Sequence, residues 1–161
     1  MRGLVYDIVY KTLEKEQHSD ALFHVIVQEK ELSSRDKNFV KRLAYGTIER
    51  AIEMDAWVNQ ISKLRVNKME PEVRTVLRIA FYEILYMDQI PEAVTCHEAA
   101  ELIRHRQGER RVSFVNGILR NFLRRKDELK ITKLWQKLSL PPALMNHFEE
   151  QYGRKTATKI G

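Results

Sequence analysis

The sequence predicts an all-α fold, and three observations carry that prediction. Apolar residues recur at three- and four-residue spacing in nearly every segment, no segment sustains the strict alternation of a half-buried strand, and Pro71, Pro91 and Gly108 fall at the joints between periodic runs. With 161 residues, 43% hydrophobic and 31% charged, the chain has the balance of a globular domain.

The elements follow in order. From Arg2 to Glu14, Leu4, Val5, Ile8, Val9 and Leu13 form one stripe, with Arg2, Lys11 and Lys15 on other faces. Asp20 is placed to cap a short second helix through Leu22, Val25 and Ile26. Ser33 or Ser34 opens a longer helix, with Ser33 and Asp36 at capping-box spacing, and its buried face runs from Phe39 to Ala51. Gly46 interrupts that run, where glycine costs about 1 kcal/mol relative to alanine, so a close helix crossing is expected there. Trp57, Val58 and Ile61 continue the pattern after Asp55 as a separate short helix.

Pro71 suits the first turn of a helix, where its missing N–H costs nothing. Val73, Val76, Leu77, Ala80, Phe81, Ile84 and Leu85 cover so wide an arc of that helix that it should be central. Pro91 ends it, and the next helix, about Glu92 to Arg106, offers Val94, Ala99, Leu102 and Ile103 to the core. Gly108 then breaks the chain before a helix in which Phe114, Val115, Ile118, Leu119, Phe122 and Leu123 repeat in pairs. Beyond Lys126 apolar density falls, and a looser segment leads through Trp135, Pro141 and Pro142 to a short amphipathic helix ending at Tyr152 and Gly153.

Composition excludes several classes. No apolar run approaches the roughly 18 residues of a bilayer span, and the N-terminus is amphipathic rather than a signal sequence, so a cytoplasmic protein with no membrane partner is expected. Cys96 is the single cysteine, which rules out an internal disulfide and a CxxC site; it reads as a core residue. His18, His24, His97, His105 and His147 lack metal-ligand spacing, so no metal site is expected. Tyr6, Tyr45, Tyr82 and Tyr86 read as core rings rather than a base-stacking platform.

Charge is the informative quantity. The chain carries a net +6, yet the segment from Arg104 to Lys126 holds Arg104, Arg106, Arg110, Arg111, Arg120, Arg124, Arg125 and Lys126 against Glu109 alone, so the remainder is close to neutral. A basic stripe binds phosphates with release of counterions, and the guanidinium fork suits bidentate phosphate contact. These eight residues, with Arg2 and Lys11 on the first helix, are the candidate nucleic-acid contacts. Arg106, Arg110 and Arg111 flank the Gly108 break and are the strongest candidates. Arg124, Arg125 and Lys126 also end a helix, where the backbone dipole favours cations by about 0.3–1 kcal/mol. Arg120, one turn after Asn116, suits a structural pairing equally well. Arg35 with Asp36, and Arg78 with a carboxylate such as Glu98 or Glu101, read as structural.

Three stretches together resemble one family. They are Arg35-Asp36-Lys37-Asn38-Phe39 running to Leu43-Ala44-Tyr45-Gly46-Thr47, the run from Val73 to Leu85, and Phe114-Val115-Asn116-Gly117-Ile118-Leu119-Arg120. With Pro91 and Glu98-Ala99-Ala100-Glu101-Leu102, they look like the NusB-type helical domain, a bundle of about seven helices, over residues 1–126. The tail, Leu138-Ser139-Leu140-Pro141-Pro142-Ala143-Leu144 followed by Phe148 and Gln151-Tyr152-Gly153, is similar to the linker of RsmB/Sun-type 16S rRNA cytosine-C5 methyltransferases. It departs from them at Ala143, where tryptophan is usual, and at His97, where asparagine is common.

The resemblance implies two parts, a NusB-like RNA-binding domain over residues 1–126 and a linker over residues 127–161 with a helix of its own, leading to an absent catalytic domain. Such an enzyme uses two cysteines and a glycine-rich turn for S-adenosylmethionine. This chain, with one cysteine and no GxGxxG, is expected to hold no catalytic residue and no cofactor, and its partners would be rRNA and the missing methyltransferase domain. The other branch of the family is the free-standing transcription antitermination factor, which implies RNA and a small-subunit ribosomal protein as partners.

Overall fold

The computed structural model describes residues 1–128, and over them the chain forms seven α-helices and two short 3₁₀ turns, with no strand among the described residues. The helices are α1 (Arg2–Glu14), α2 (Ser19–Lys30), α3 (Ser34–Glu49), α4 (Ala51–Ile61), α5 (Pro71–Tyr86), α6 (Glu92–Gln107) and α7 (Val112–Arg125). The turns are Val66–Lys68 and Gly108–Arg111. The linker helix expected near Tyr152 lies outside the described residues.

The predicted helix starts have physical causes. The Asp36 N–H donates to Ser33 Oγ at 3.2 Å, so Ser33 caps α3, and Pro71 occupies the first turn of α5. Asp20 does not cap α2: it sits in the first turn and accepts a 2.7 Å bond from the Tyr45 hydroxyl, joining α2 to α3. The break between α3 and α4 falls at Arg50, earlier than the sequence suggested, which places Ala51 and Asp55 inside α4.

α5 is the central helix and packs against α1, α3, α4, α6 and α7. Its Phe81 stacks on Phe122 of α7, with ring centroids 4.0 Å apart and planes 4° from parallel, and Trp57 of α4 meets Phe122 edge-on at 5.6 Å. Gly46 accounts for itself in the same way: a Cβ there would collide with the Tyr82 ring of α5, so the α3–α5 crossing is as close as glycine alone permits.

Two predicted core positions face outward. Val94 is 41% and Val25 is 55% exposed; on α6 it is Thr95 that turns inward. The reason for Thr95 is a carboxylate. Glu83 of α5 is 1% exposed, accepts a 2.8 Å bond from Thr95 Oγ1, and is met by the guanidinium of Arg2. A second buried carboxylate, Glu53, accepts from Trp57 Nε1 at 3.2 Å and from the Tyr86 hydroxyl at 2.8 Å. Burying a charge is tolerable only with such partners.

Arg78 is structural, as its sequence context suggested, although its partners are not Glu98 and Glu101. It donates to both oxygens of Asp55, at 2.7 and 2.9 Å, and to Glu14 at 3.0 Å, while Arg74 donates to Glu14 at 2.8 Å. These contacts join α1, α4 and α5.

Candidate nucleic-acid interface

The basic segment folds as a helical hairpin. Gly108 ends α6 with φ of +71°, a conformation that side chains resist, and the following 3₁₀ turn delivers the chain into α7. At the other end Lys126 pairs with Glu92 at 3.2 Å, so the two helices run antiparallel. The 16 residues of α6 give the hairpin a length of about 24 Å. The candidate cations therefore divide into two groups, one at each end.

At the turn end stand Arg104, Arg106, Arg110 and Arg111, and each has a carboxylate partner. Arg104 is held by Glu101 and Glu109, which push its pKa upward, the Glu109 hydrogen bond most of all. Arg110 donates to Glu70 at 2.9 Å, and Arg111 donates to the same carboxylate. The Arg111 hydrogen bond is the main reason that the Glu70 carboxyl is held below its ordinary range. Arg106 lies 4.1 Å from the centroid of the Tyr6 ring and 3.4 Å from Asp7, so it docks on α1.

At the open end, Arg120 and Arg124 are exposed on one edge of α7. Arg124 donates to Asn121 at 2.7 Å, and Arg120 has no ion pair among the described residues. Arg125 and Lys126 are half-buried.

The two candidates on α1 separate. Lys11 is exposed, one turn beyond the Asp7 that meets Arg106, which places it beside the turn-end group. Arg2 is turned inward: its side chain is 13% exposed, it donates through Nε to Glu83 at 3.2 Å, and it lies 5.3 Å from the centroid of the Phe39 ring. Glu70 was not a residue that the sequence singled out. It stands on the approach to α5, about forty positions before the arginines it holds, and no local pattern announces that pairing.

Among the described residues no group of three His, Cys, Asp or Glu side chains is arranged to hold a metal, and no helix is long and apolar enough to cross a membrane. Cys96 is half-buried, and burial is the first cause pushing its thiol pKa upward, away from the thiolate a nucleophile needs.

Comparison with known proteins agrees with the architecture. The family model described as the NusB family matches residues 1–124. The probable ribosomal RNA small subunit methyltransferase B of Bacillus subtilis (strain 168) is 27% identical over 99% of this chain and 37% of its own length. The chain thus spans little more than a third of that relative. The transcription antitermination protein NusB of Desulforamulus reducens is 37% identical over 56% of this chain and 64% of its own. Among solved structures, NusB of T. maritima superposes with a TM-score of 0.66 at 28% identity, covering 80% of this chain and 94% of that one. A chain from the complex of antitermination factors NusB and NusE with dsRNA superposes with a TM-score of 0.69 at 19% identity, covering 76% of this chain and 92% of that one.

Proposed function

The chain belongs to the NusB family, and from that premise we propose that it is the RNA-binding domain of an rRNA cytosine-C5 methyltransferase, which brings small-subunit rRNA to a catalytic domain elsewhere in a longer polypeptide. One observation carries the choice of branch. The methyltransferase B relative aligns over 99% of the chain, whereas the antitermination protein of D. reducens aligns over 56% of it and that of Ruminiclostridium cellulolyticum over 73%. In this reading S-adenosylmethionine and the cysteine nucleophile belong to the rest of that polypeptide.

RNA contact is assigned to the turn end of the hairpin. Arg110 and Arg111 are 60% and 39% exposed, and Arg104 is 38% exposed, so a phosphate can reach each of them in place of its present carboxylate. Exposed ion pairs are weak and screened by salt, which makes that exchange cheap. Lys11 extends the same surface onto α1, and Arg106 of α6 borders it, held against Tyr6 and Asp7.

The test is the salt dependence of binding to a 16S rRNA fragment. Replacing Arg106, Arg110 and Arg111 together with alanine should weaken binding and lower the slope of log affinity against log salt, by up to about 0.7 for each lost contact on single-stranded RNA. The companion variant Arg120→Ala/Arg124→Ala should change it little. The reverse ranking would move the interface to the open end, and equal slopes for all three proteins would remove it from the hairpin.

A second reading, the free-standing antitermination factor with a small-subunit ribosomal protein as partner, is favoured by the 37% identity to the D. reducens protein and by the fold shared with the NusB–NusE–dsRNA complex. The reading frame after Gly161 separates the two. A continuing frame with a glycine-rich turn and two cysteines supports the methyltransferase, and a stop codon supports the factor.

A further inference from the structure

Beside the arginine turn, between the α4–α5 connection and the outer edge of α7, the surface carries an apolar groove. It consists of two hollows, of about 260 and 420 Å³, that share Leu64 and Phe114. Leu64 is 44% exposed, and its position is fixed rather than loose. Ser62 Oγ accepts from the Leu64 N–H at 3.1 Å and donates to the Leu64 carbonyl at 2.7 Å, while Asn59 Oδ1 accepts from the Val66 N–H at 2.9 Å. A hydrophobic side chain is thus held out in solvent by a hydrogen-bonded connection.

A second, independent observation lies in the same groove. Gly117 sits within α7, where glycine is the least favourable residue after proline, yet a Cβ built there would meet nothing within 4 Å. Its backbone lies outside the left-handed region as well. No neighbour among the described residues requires a glycine at this position, in contrast to Gly46 under Tyr82. Its bare backbone suits the close approach of another chain.

The groove's rim sets the chemistry of that chain. Lys63, Lys68 and Arg111 line it against one carboxylate, Glu70, which Arg110 and Arg111 already hold. We propose that this groove docks an acidic amphipathic polypeptide segment, whose apolar side chains pack on Leu64 and Phe114, whose carboxylates meet the rim lysines, and whose backbone passes over Gly117. A protein partner suits the site better than RNA: a base can stack on Phe114 and a phosphate can meet the rim cations, but only a polypeptide also brings aliphatic side chains to cover the exposed Leu64. The groove shares Arg111 and Glu70 with the proposed RNA surface, but the peptide reading rests on Leu64, Phe114, Gly117 and the two lysines and does not depend on RNA contact.

The probe is a fluorescent helical peptide of leucine and glutamate, with leucines at three- and four-residue spacing, titrated with the whole chain. A peptide with lysine in place of glutamate serves as the control. The acidic peptide should bind and the basic one should not. Leu64→Ser should weaken the acidic peptide about tenfold, the loss expected when a central apolar anchor is removed. Gly117→Gln should weaken it comparably while leaving the unfolding midpoint unchanged or higher, since the new side chain meets no neighbour in the fold. Neither substitution should alter affinity for the 16S rRNA fragment. Equal binding of both peptides, peptide binding that survives both substitutions, weakened RNA binding in their place, or loss of a self-associated form of the chain would each overturn the proposal.

Discussion

Removing the guanidinium of Arg2 should unfold the domain far more readily than removing any other candidate cation. Arg2 faces Glu83, whose side chain is 1% exposed, and donates to both carboxylate oxygens; the remaining polar partner is Thr95. Deleting one member of a buried pair leaves the other charge unsolvated, at a cost of about 3–5 kcal/mol. For a domain of this size that corresponds to a fall of roughly 10–20 °C in Tm, or about 2 M in the urea midpoint. The assay is equilibrium urea unfolding of the whole chain, followed by circular dichroism. The double substitution Arg2→Met/Glu83→Leu, which removes both charges and keeps the volume, should recover most of the loss. If Arg2→Ala unfolds at the parent midpoint while the salt slope of RNA binding falls, Arg2 is a phosphate ligand and does not serve to neutralise Glu83.

Further outcomes are specified by the same structure. Phe122→Ala removes the ring stacked on Phe81 and touched by Trp57, and should destabilise by about 3–5 kcal/mol in the same unfolding assay. Gly46→Ala gains about 1 kcal/mol of helix propensity but drives a methyl group into the Tyr82 ring, at about 1–3 kcal/mol, so a net loss is expected, and Tyr82→Leu in the same chain should relieve it. The Glu14 carboxyl is held below its ordinary value of 4.5, first by the Arg74 hydrogen bond, so its contribution is present above that pH and is lost as pH falls through the folded value. Glu14→Gln should therefore be less stable at neutral pH and lose less stability on acidification, which unfolding at a series of pH values measures. Glu70→Gln frees Arg110 and Arg111 from their competing carboxylate and should raise affinity for the 16S rRNA fragment; an unchanged affinity would place the RNA elsewhere.

The helices were legible because their signal is local. α1 occupies the span its apolar stripe predicts, Ser33 caps α3 through Asp36, and Pro71 begins α5. The misplaced details have a common cause. Val94 and Thr95 are adjacent on α6, and periodicity prefers valine inside. The buried acceptor that draws Thr95 inward is Glu83, on a different helix. Glu53 and Glu83 likewise resemble surface residues until Arg50, Trp57, Tyr86 and Arg2 are placed around them. The candidate site shows the same division. Its cations could be counted from the sequence, but the pairing of Glu70 with Arg110 and Arg111 joins residues about forty positions apart and exists only after the hairpin has folded back on α5.

That pairing changes what a basic segment means. A count of charges treats Arg2, Arg78, Arg104 and Arg110 alike, while the fold sorts them by exposure. The side chains of Arg2 and Arg78 are 13% and 12% exposed and compensate carboxylates that water does not solvate well, so a phosphate offered to either would strand its partner. Those of Arg104 and Arg110 are 38% and 60% exposed, and their carboxylates sit where water can solvate them once released. For the exposed pairs, exchanging one anion for another leaves no buried charge behind. An arginine that already holds a surface carboxylate is also pre-positioned, because its long side chain has been ordered before RNA arrives. The intrachain ion pairs at the turn are therefore compatible with RNA contact, and the same kind of pair at Arg2 is not.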